Sequence, residues 1–192
     1  MKVGVLRLAG LALAGGLMAS AASAQIWVEK AVDPAGFTWR GPYVGVFGGY
    51  GLGTFGGIAA GSISGPIAGG YVGFNFQNGA GVVGVEFDAA WSGMDDGGAR
   101  AVTWIGSFRG RIGWALGQWL PFLQYGFSYA GVVISGATHA ELHPEIGIGV
   151  QRAINDRLFA RADYLLTFDE KMSPAGTELM THEFRIGVGT QF

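Results

Sequence analysis

The sequence predicts an all-β protein, an eight-stranded antiparallel up-and-down β-barrel that crosses a membrane. Three observations predict this fold class: eight segments alternate apolar and polar residues with a period of two, charged residues are scarce, and glycine is abundant. The alternation is clearest over residues 181–192, where Phe184, Ile186, Val188 and Phe192 share one face. Since neighbouring side chains of a strand point to opposite faces, this segment is a strand with one apolar side.

The composition restricts how such a chain can meet a membrane. Hydrophobic residues make up 49% of the chain and charged residues 14%, whereas soluble domains carry about 25% charged residues. After the amino-terminal segment no run reaches the 18 apolar residues that a transmembrane helix needs. The 36 glycines also disfavour helices. The apolar residues are therefore predicted to lie on strands, with their side chains facing lipid.

The amino terminus has the layout of a secretory signal peptide. Lys2 and Arg7 give a positive start, residues 8–18 are apolar, and residues 22–24 (ASA) offer a cleavage site near Ala24. We therefore predict three parts: a signal peptide over 1–24, a short periplasmic segment over 25–40, and the barrel over 41–192.

Charge and cysteine content exclude several functions. Removing residues 1–24 leaves ten basic against 14 acidic residues, a formal net charge of −4. This balance argues against nucleic acid as a partner. Because the chain has no cysteine, it has no disulfide, thiolate nucleophile or cysteine metal site.

The alternation divides the barrel region into eight strands, each with one apolar face. In chain order they cover residues of about 42–52, 67–77, 81–92, 101–116, 119–131, 141–152, 157–168 and 181–192. The apolar faces of the first seven carry, strand by strand, Val44, Val46 and Tyr50; Val72, Phe74 and Phe76; Val83, Val85, Phe87 and Trp91; Val102, Trp104, Phe108, Ile112, Trp114 and Leu116; Leu123, Tyr125, Phe127 and Tyr129; Leu142, Ile146, Ile148 and Val150; and Leu158, Ala160, Ala162, Tyr164, Leu166 and Phe168. Phe47 is an exception, because it lies on the polar face of the first strand.

The predicted connections alternate in length. Those after the second, fourth and sixth strands are tight, while 53–66, 93–100, 132–140 and 169–180 are longer and rich in Gly, Ser, Asp and Thr. Short turns at one rim and longer loops at the other are typical of outer-membrane barrels. An even strand number lets both termini lie at the periplasmic rim, and the Gly- and Ser-rich loop 53–66 is expected to be mobile.

Aromatic residues and charges indicate which face meets lipid. The aromatic residues gather near strand ends in two bands, as in barrels with an aromatic girdle at each interface. The predicted girdles comprise Trp91, Trp104, Tyr129 and Phe168 beside the long loops, and Trp39, Tyr43, Phe76, Trp114, Trp119 and Phe192 beside the short turns. Nine charged residues fall on the polar faces: Glu86, Asp88, Arg109, Arg111, Glu145, Arg161, Asp163, Glu183 and Arg185. An arginine facing lipid at the midplane would cost about 2–4 kcal/mol, so the polar faces are predicted to point inward.

The same nine residues predict a closed lumen. An eight-stranded barrel has an interior just wide enough for side chains to fill. Five acids and four arginines can pair there through bidentate hydrogen bonds, so we expect a stabilising network and no open diffusion pore.

Several motifs resemble one family, the small porin-like outer-membrane proteins and immunogenic surface proteins of alphaproteobacteria. They are 39–46 (WRGPYVGV), 48–51 (GGYG), 73–77 (GFNFQ), 84–86 (GVE), 108–114 (FRGRIGW), 120–122 (LPF), 155–158 (NDRL), 161–164 (RADY) and 182–187 (HEFRIG). The resemblance covers about residues 37–192 and implies an OmpA-like transmembrane barrel without a peptidoglycan-binding domain. It also implies outer-membrane lipid as surroundings and contact with the barrel-assembly machinery through the terminal Phe192.

The function predicted from these features is a non-enzymatic outer-membrane protein without cofactor or metal. Haemin capture is an alternative that the resemblance allows, with His139, His143 and His182 near the rim that carries the predicted long loops as candidate ligands. A lipid A-modifying enzyme would use a histidine, a serine and a carboxylate, with Ser135, Glu141 and Glu183 as candidates. A soluble lipocalin-like barrel, with its apolar faces inward, is the remaining alternative.

Overall fold

The structure is a computed structural model that describes residues 37–57, 60–172 and 177–192. The predicted signal peptide and most of the predicted periplasmic segment lie outside these residues. No helix long and apolar enough to cross a membrane occurs in the part of the chain that the structure describes.

Eight strands form one closed antiparallel barrel, which confirms the predicted fold class. In chain order they are β1 Gly41–Gly57, β2 Gly61–Asn78, β3 Gly81–Asp95, β4 Arg100–Trp114, β5 Trp119–Ile134, β6 Ala137–Ala153, β7 Leu158–Met172 and β8 Thr177–Gln191. Each strand pairs with its sequence neighbours, and β1 closes the barrel against β8 through pairs such as Val46 with Val188. Every strand is long enough to cross the hydrocarbon core of a bilayer when tilted.

Alternation of exposure along the strands separates an apolar outer wall from a lumen. Ile186 and Val188 are exposed on the outer wall, whereas Arg185 between Phe184 and Ile186 is buried. The same pattern runs around the barrel, with Val46, Val72, Phe87, Ile112, Leu123, Ile148 and Phe184 all at least 45% exposed. A wall so apolar suits acyl chains and excludes the lipocalin-like arrangement, in which the apolar faces would line the lumen.

The prediction of long loops over residues 53–66 and 132–140 is wrong, because paired strands occupy most of the described residues in both ranges. β1 and β2 pair as far as Phe55 with Gly61, and the inward side chains there are Phe55 and Ile63. The outward positions are small or polar, so the outer face loses its apolar pattern while the inner face acquires one. The β5–β6 connection is a tight turn at Ser135 and Gly136, whose φ angles of 50° and 85° fit a two-residue hairpin turn.

The turn between β3 and β4 is held by Asp96. Its carboxylate accepts backbone N–H bonds from Arg100 at 3.0 Å and Gly98 at 2.9 Å, and it pairs with the Arg100 guanidinium at 3.1 Å. These contacts lower the pKa of the Asp96 carboxyl, with the hydrogen bond from Arg100 as the largest favourable cause. They also fix the geometry of a glycine-rich turn.

A β-bulge corrects one predicted face. The register of β4 with β5 shifts between Val102 and Trp104, so these two residues point to opposite sides of the wall. Val102 is 2% exposed in the lumen, whereas Trp104 remains 41% exposed outside. An extra residue in one strand changes the phase of alternation, which a strict period of two does not anticipate.

The ladder of hydrogen bonds between β6 and β7 ends well before the rim opposite the termini. Among the residues that the structure describes, it runs from Ala153 with Phe159 to Glu145 with Thr167. The next residue of β6 is Pro144, which lacks a backbone N–H and suits the end of a ladder. β6 continues to Ala137 paired with β5 alone in the described ladders.

Candidate functional site: the barrel lumen

Three layers of side chains fill the lumen. The rim that holds the termini and the short turns is called the turn-side rim here, and the opposite rim the loop-side rim. The turn-side cluster consists of Phe37, Trp39, Tyr43, Phe47, Tyr71, Val82, Ala90, Ala115, Leu120, Ala153 and Phe159. The loop-side cluster consists of Phe55, Ile63, Ile67, Met94, Val102, Ile105, Ala130, Val132 and Leu179. The charge network lies between most residues of the two clusters, with Phe47 and Ala90 of the turn-side cluster alongside it, and consists of Glu86, Asp88, Arg109, Arg111, Glu145, Arg161, Asp163, Glu183 and Arg185.

The structure places all nine residues of the predicted charge network inside the barrel. Eight are buried as whole residues, and the side chain of Asp163 is 5% exposed. They come from β3, β4, β6, β7 and β8, so the network ties together strands that do not pair directly. Charged groups removed from water need both partners and hydrogen bonds, and the network supplies them.

Glu86 is the centre of the charge network. Its carboxylate accepts hydrogen bonds from Arg161 at 2.9 Å, Arg109 at 3.2 Å and Arg111 at 3.4 Å. The Tyr43 hydroxyl donates to Glu86 Oε2 at 2.8 Å and accepts from Arg111 at 3.0 Å. Three guanidinium groups therefore share one fully buried carboxylate, so Glu86 interacts with more positive charge than the acid of a single ion pair does.

A second branch of the network runs towards β8. Arg109 also donates to Asp88 and Glu145. Asp88 accepts in addition from Arg185 at 3.1 Å, and Arg185 in turn makes two bonds to Glu183 Oε2, at 2.9 and 2.6 Å. The acids and the guanidinium groups therefore alternate from Glu145 across to Glu183.

Aromatic rings join the turn-side cluster to the charge network. Guanidinium carbons lie 3.9 Å from the ring centroid for Arg111 over Phe122, 4.4 Å for Arg185 over Phe47, and 4.7 Å for Arg161 over Tyr71. Such cation–π contacts are favourable and strengthen when water is excluded. The ring of Tyr71 has room because Gly45 faces it, where a Cβ would lie 2.3 Å from the ring.

Trp39 and Tyr43, predicted as girdle residues, lie inside the lumen instead. Trp39 is 0% and Tyr43 3% exposed. The physical reason for Tyr43 is its phase, since Val44 and Val46 take the outward positions of β1. Trp39 precedes β1 and turns into the turn-side mouth, where its ring centroid lies 6.1 Å from that of Phe159.

Two glutamines hold the segment before β1 in that mouth. The backbone N–H of Trp39 donates to Gln77 Oε1 at 2.8 Å, and Gln191 Nε2 donates to the Arg40 carbonyl at 2.6 Å. Residues 37–40, the last part of the segment predicted as a short periplasmic segment over 25–40, therefore lie in the turn-side mouth of the lumen.

The other predicted girdle residues lie on the outer wall. Their exposed fractions are 59% for Trp91, 41% for Trp104, 44% for Tyr129 and 40% for Phe168 near the loop-side rim, and 56% for Phe76, 59% for Trp114, 47% for Trp119 and 73% for Phe192 near the turn-side rim. Trp104 packs against Tyr129 with ring centroids 5.4 Å apart. Outward aromatic residues at both ends of the wall suit the two membrane interfaces.

The structure does not bring the three histidines together. His143 is buried in the lumen and His139 is an inward position four residues away on β6, about 13 Å along the strand. His182 lies on the outer side of β8, where its Nδ1 is 2.7 Å from the Tyr164 hydroxyl. The described residues hold no group of three or more His, Asp or Glu placed to bind a metal ion.

Of the candidate lipid A residues, His182, Glu183 and Ser135 are not brought together either, and the side chain of Glu141 lies outside the described part of the structure. His182 and Glu183 are neighbours in β8 and point to opposite sides of the wall, Glu183 being 2% exposed and bound to Arg185. Ser135 lies in the exposed β5–β6 turn. A hydrolytic triad needs its histidine within hydrogen-bond reach of both partners, which this arrangement does not provide.

Sequence reasoning missed the loop-side cluster, whereas it placed Gln124 and Gln151 on the inward, polar faces of the fifth and sixth strands, where the structure has them. Gln124 is 2% and Gln151 1% exposed, and Gln151 Oε1 accepts from Arg111 at 2.9 Å. The signal for the cluster is an inward alternation that includes Phe55 and Ile63 inside the segment predicted as a loop and continues to Ile67 at the start of the second predicted strand.

The sequence matches the family described as outer membrane protein beta-barrel domain over residues 9–192. The chain belongs to this family. It is 29% identical to the 25 kDa outer-membrane immunogenic protein of Brucella melitensis over 171 residues, which cover 81% of this chain and 80% of the relative. It is 28% identical to the 22 kDa outer membrane protein of Rhizobium leguminosarum bv. viciae over 177 residues, covering 85% and 82%. This family member is therefore an outer-membrane β-barrel protein, and both relatives are alphaproteobacterial, as the motifs indicated.

Solved structures of outer-membrane barrels share the fold. Neisserial surface protein A superimposes with a TM-score of 0.56 at 14% identity, covering 79% of this chain and 97% of that one. The outer membrane protein OprG from Pseudomonas aeruginosa superimposes with a TM-score of 0.51 at 10% identity, covering 83% and 99%. At these identities the likeness concerns the fold alone.

Proposed function

We propose that this protein is a non-enzymatic integral outer-membrane protein whose lumen is closed, with a structural and surface role and at most minor permeability. The observation that carries the proposal is the three-layered filling of the lumen. An ion crossing the barrel would have to pass an apolar cluster, the charge network and a second apolar cluster. Moving charge through dry apolar layers is costly, and so is separating buried ion pairs.

The segment 37–40 adds a further closure at the turn-side mouth. Phe37 and Trp39 are 5% and 0% exposed and pack together with ring centroids 4.5 Å apart. In this proposal the turn-side rim faces the periplasm, so the segment closes the periplasmic entrance.

The proposed surface role belongs to the loop-side hairpins. β1–β2 and β5–β6 extend as paired strands beyond the outward Tyr50 and Tyr129, so they project as hairpins whose outer faces carry mostly small or polar side chains. The Brucella melitensis relative is named an immunogenic protein. We propose by analogy that the hairpin ends of this chain are its exposed antigenic surface.

Assembly is proposed to use the terminal strand. Phe192 is 73% exposed on the outer wall, and its backbone N–H donates to the Pro42 carbonyl at 3.0 Å. An exposed terminal aromatic side chain next to the β1–β8 closure can be recognised by the barrel-assembly machinery before the barrel closes.

Planar-bilayer recording tests the closed lumen. The protein purified from outer membranes is expected to give no stable, ohmic current steps in symmetrical salt, because the three layers leave no continuous water path. Heat-modifiable electrophoretic mobility of the same preparation shows that the barrel is folded. Reproducible steps whose amplitude scales with salt concentration would contradict the proposal and indicate a pore.

A further inference from the structure

Arg152 is an exposed basic residue on the outer wall at the turn-side rim. It pairs in register with Trp119, and its guanidinium carbon lies 5.2 Å from the centroid of the Trp119 ring. The stacking holds the guanidinium at the lipid-facing rim. A planar guanidinium is well suited to bind phosphate oxygens.

A groove in the outer wall begins next to Arg152. Its volume is about 800 Å³, and its lining includes Trp114, Pro121, Leu123, Ile148, Val150 and Ala162. The pair of Pro121 with Val150 lies two residues above the pair of Trp119 with Arg152, about 7 Å along the strands. An apolar groove therefore meets a cationic side chain at its turn-side end.

The charge of the rim favours an anionic occupant. The described residues of the turn-side rim include three arginines, Arg40, Arg152 and Arg157, and a single side-chain carboxylate, Asp156. Arg152 alone of these arginines stacks on an exposed tryptophan at the end of the groove.

We propose that this groove and Arg152 bind one anionic phospholipid, with an acyl chain along the groove and the headgroup phosphate on the Arg152 guanidinium. The inference goes beyond the proposed function and rests on it in one respect, the leaflet from which the lipid comes. If the turn-side rim faces the periplasm, the bound lipid belongs to the inner leaflet of the outer membrane. The binding is non-covalent, and the headgroup chemistry that it recognises is a phosphodiester with net negative charge, as in phosphatidylglycerol.

Native mass spectrometry of the detergent-solubilised protein with dioleoyl-phosphatidylglycerol tests the headgroup contact. Arg152→Gln is expected to weaken binding about fivefold, the contribution of one arginine beside an anionic lipid surface. The matched control is Arg157→Gln, which removes a rim arginine that does not stack at the groove and is expected to change binding less than about twofold. Equal losses in the two variants, or no loss in Arg152→Gln, would overturn the proposal.

A second pair of variants tests the groove without changing charge. Ala162→Leu fills the groove and is expected to weaken binding about tenfold, because about two acyl methylenes lose their burial. Ala160→Leu is the matched control, since Ala160 lines a neighbouring depression with Val46, Ile186 and Val188. Equal effects of both substitutions would overturn the groove assignment.

A lipid competition decides which phosphate the site takes. Phosphatidylglycerol is expected to displace bound lipid from the wild-type protein, whereas lipid A is not. This preference for phosphatidylglycerol is expected to be lost in Arg152→Gln. A preference for lipid A at Arg152 would overturn the assignment to a phospholipid. Because failure of this competition leaves the conductance of the barrel unaffected, it is distinguishable from failure of the closed-lumen proposal.

Discussion

Replacing Glu86 by Gln is expected to lower the free energy of unfolding by about 3–5 kcal/mol. Glu86 is 0% exposed and accepts hydrogen bonds from Arg109, Arg111 and Arg161, so the amide leaves three guanidinium groups without their shared counter-charge. Reversible urea unfolding of the barrel in lipid vesicles measures the change. Gln preserves the shape of the side chain, but it removes the negative charge and puts an NH2 donor where one carboxylate oxygen accepts hydrogen bonds.

Glu178→Gln is the matched control for Glu86→Gln. Glu178 is an exposed residue of β8 near the loop-side rim, and its replacement is expected to change the unfolding free energy by no more than about 0.5 kcal/mol. Equal small effects of the two substitutions would show that the charge network does not stabilise the barrel.

Replacing Ile186 by Arg is expected to cost about 2–4 kcal/mol and to reduce insertion into bilayers. Ile186 is 71% exposed on the outer wall and lies between Phe184 and Val188, in the middle of the apolar belt of β8. At that position a guanidinium would meet acyl chains with no counter-charge. The fraction of folded protein after incubation with vesicles, read from heat-modifiable mobility, measures the effect.

Ser62→Arg places the same side chain on the same outer face but beyond the belt. Ser62 is an exposed residue of β2 near the loop-side rim, opposite Thr54. Its replacement is expected to cost about 0–1 kcal/mol, because the penalty for arginine falls towards the interface. If Ile186→Arg were tolerated as well as Ser62→Arg, the belt around Ile186 would not face the hydrocarbon.

The faces of the middle of each strand could be predicted because composition and alternation agree there. Arg109 and Arg111 lie on one face of β4, and Phe108 and Ile112 lie on the other. Because arginine facing lipid is costly, the face with the charges must point into the lumen. The membership of the charge network therefore followed from the sequence. The hydrogen bonds within the network did not, since alternation gives the face of a residue but not which three of the four arginines reach Glu86.

The ends of the strands were harder to predict because their pattern is inverted. Near the loop-side rim the outer face loses its apolar side chains while Phe55, Ile63 and Leu179 fill the inside. The apolar residues there alternate on the inner face and not on the outer one, so the outward apolar pattern of a membrane strand is missing and the segment resembles a loop. Near the turn-side rim Trp39 and Tyr43 look like interface aromatics by type and position. The burial of Trp39 depends on the course of the segment 37–40, which long-range hydrogen bonds to Gln77 and Gln191 hold, whereas the burial of Tyr43 follows from its phase in β1.

Tryptophan quenching by brominated lipids tests most directly whether the apolar wall faces acyl chains while the aromatic residues of the lumen do not. Single-tryptophan variants, with the other five of the six tryptophans changed to Phe, are reconstituted in such lipids. Strong quenching is predicted for Trp104 and Trp114, which are 41% and 59% exposed, and almost none for Trp39, which is 0% exposed. Quenching of Trp39 with protection of Trp104 and Trp114 would contradict this account of the barrel.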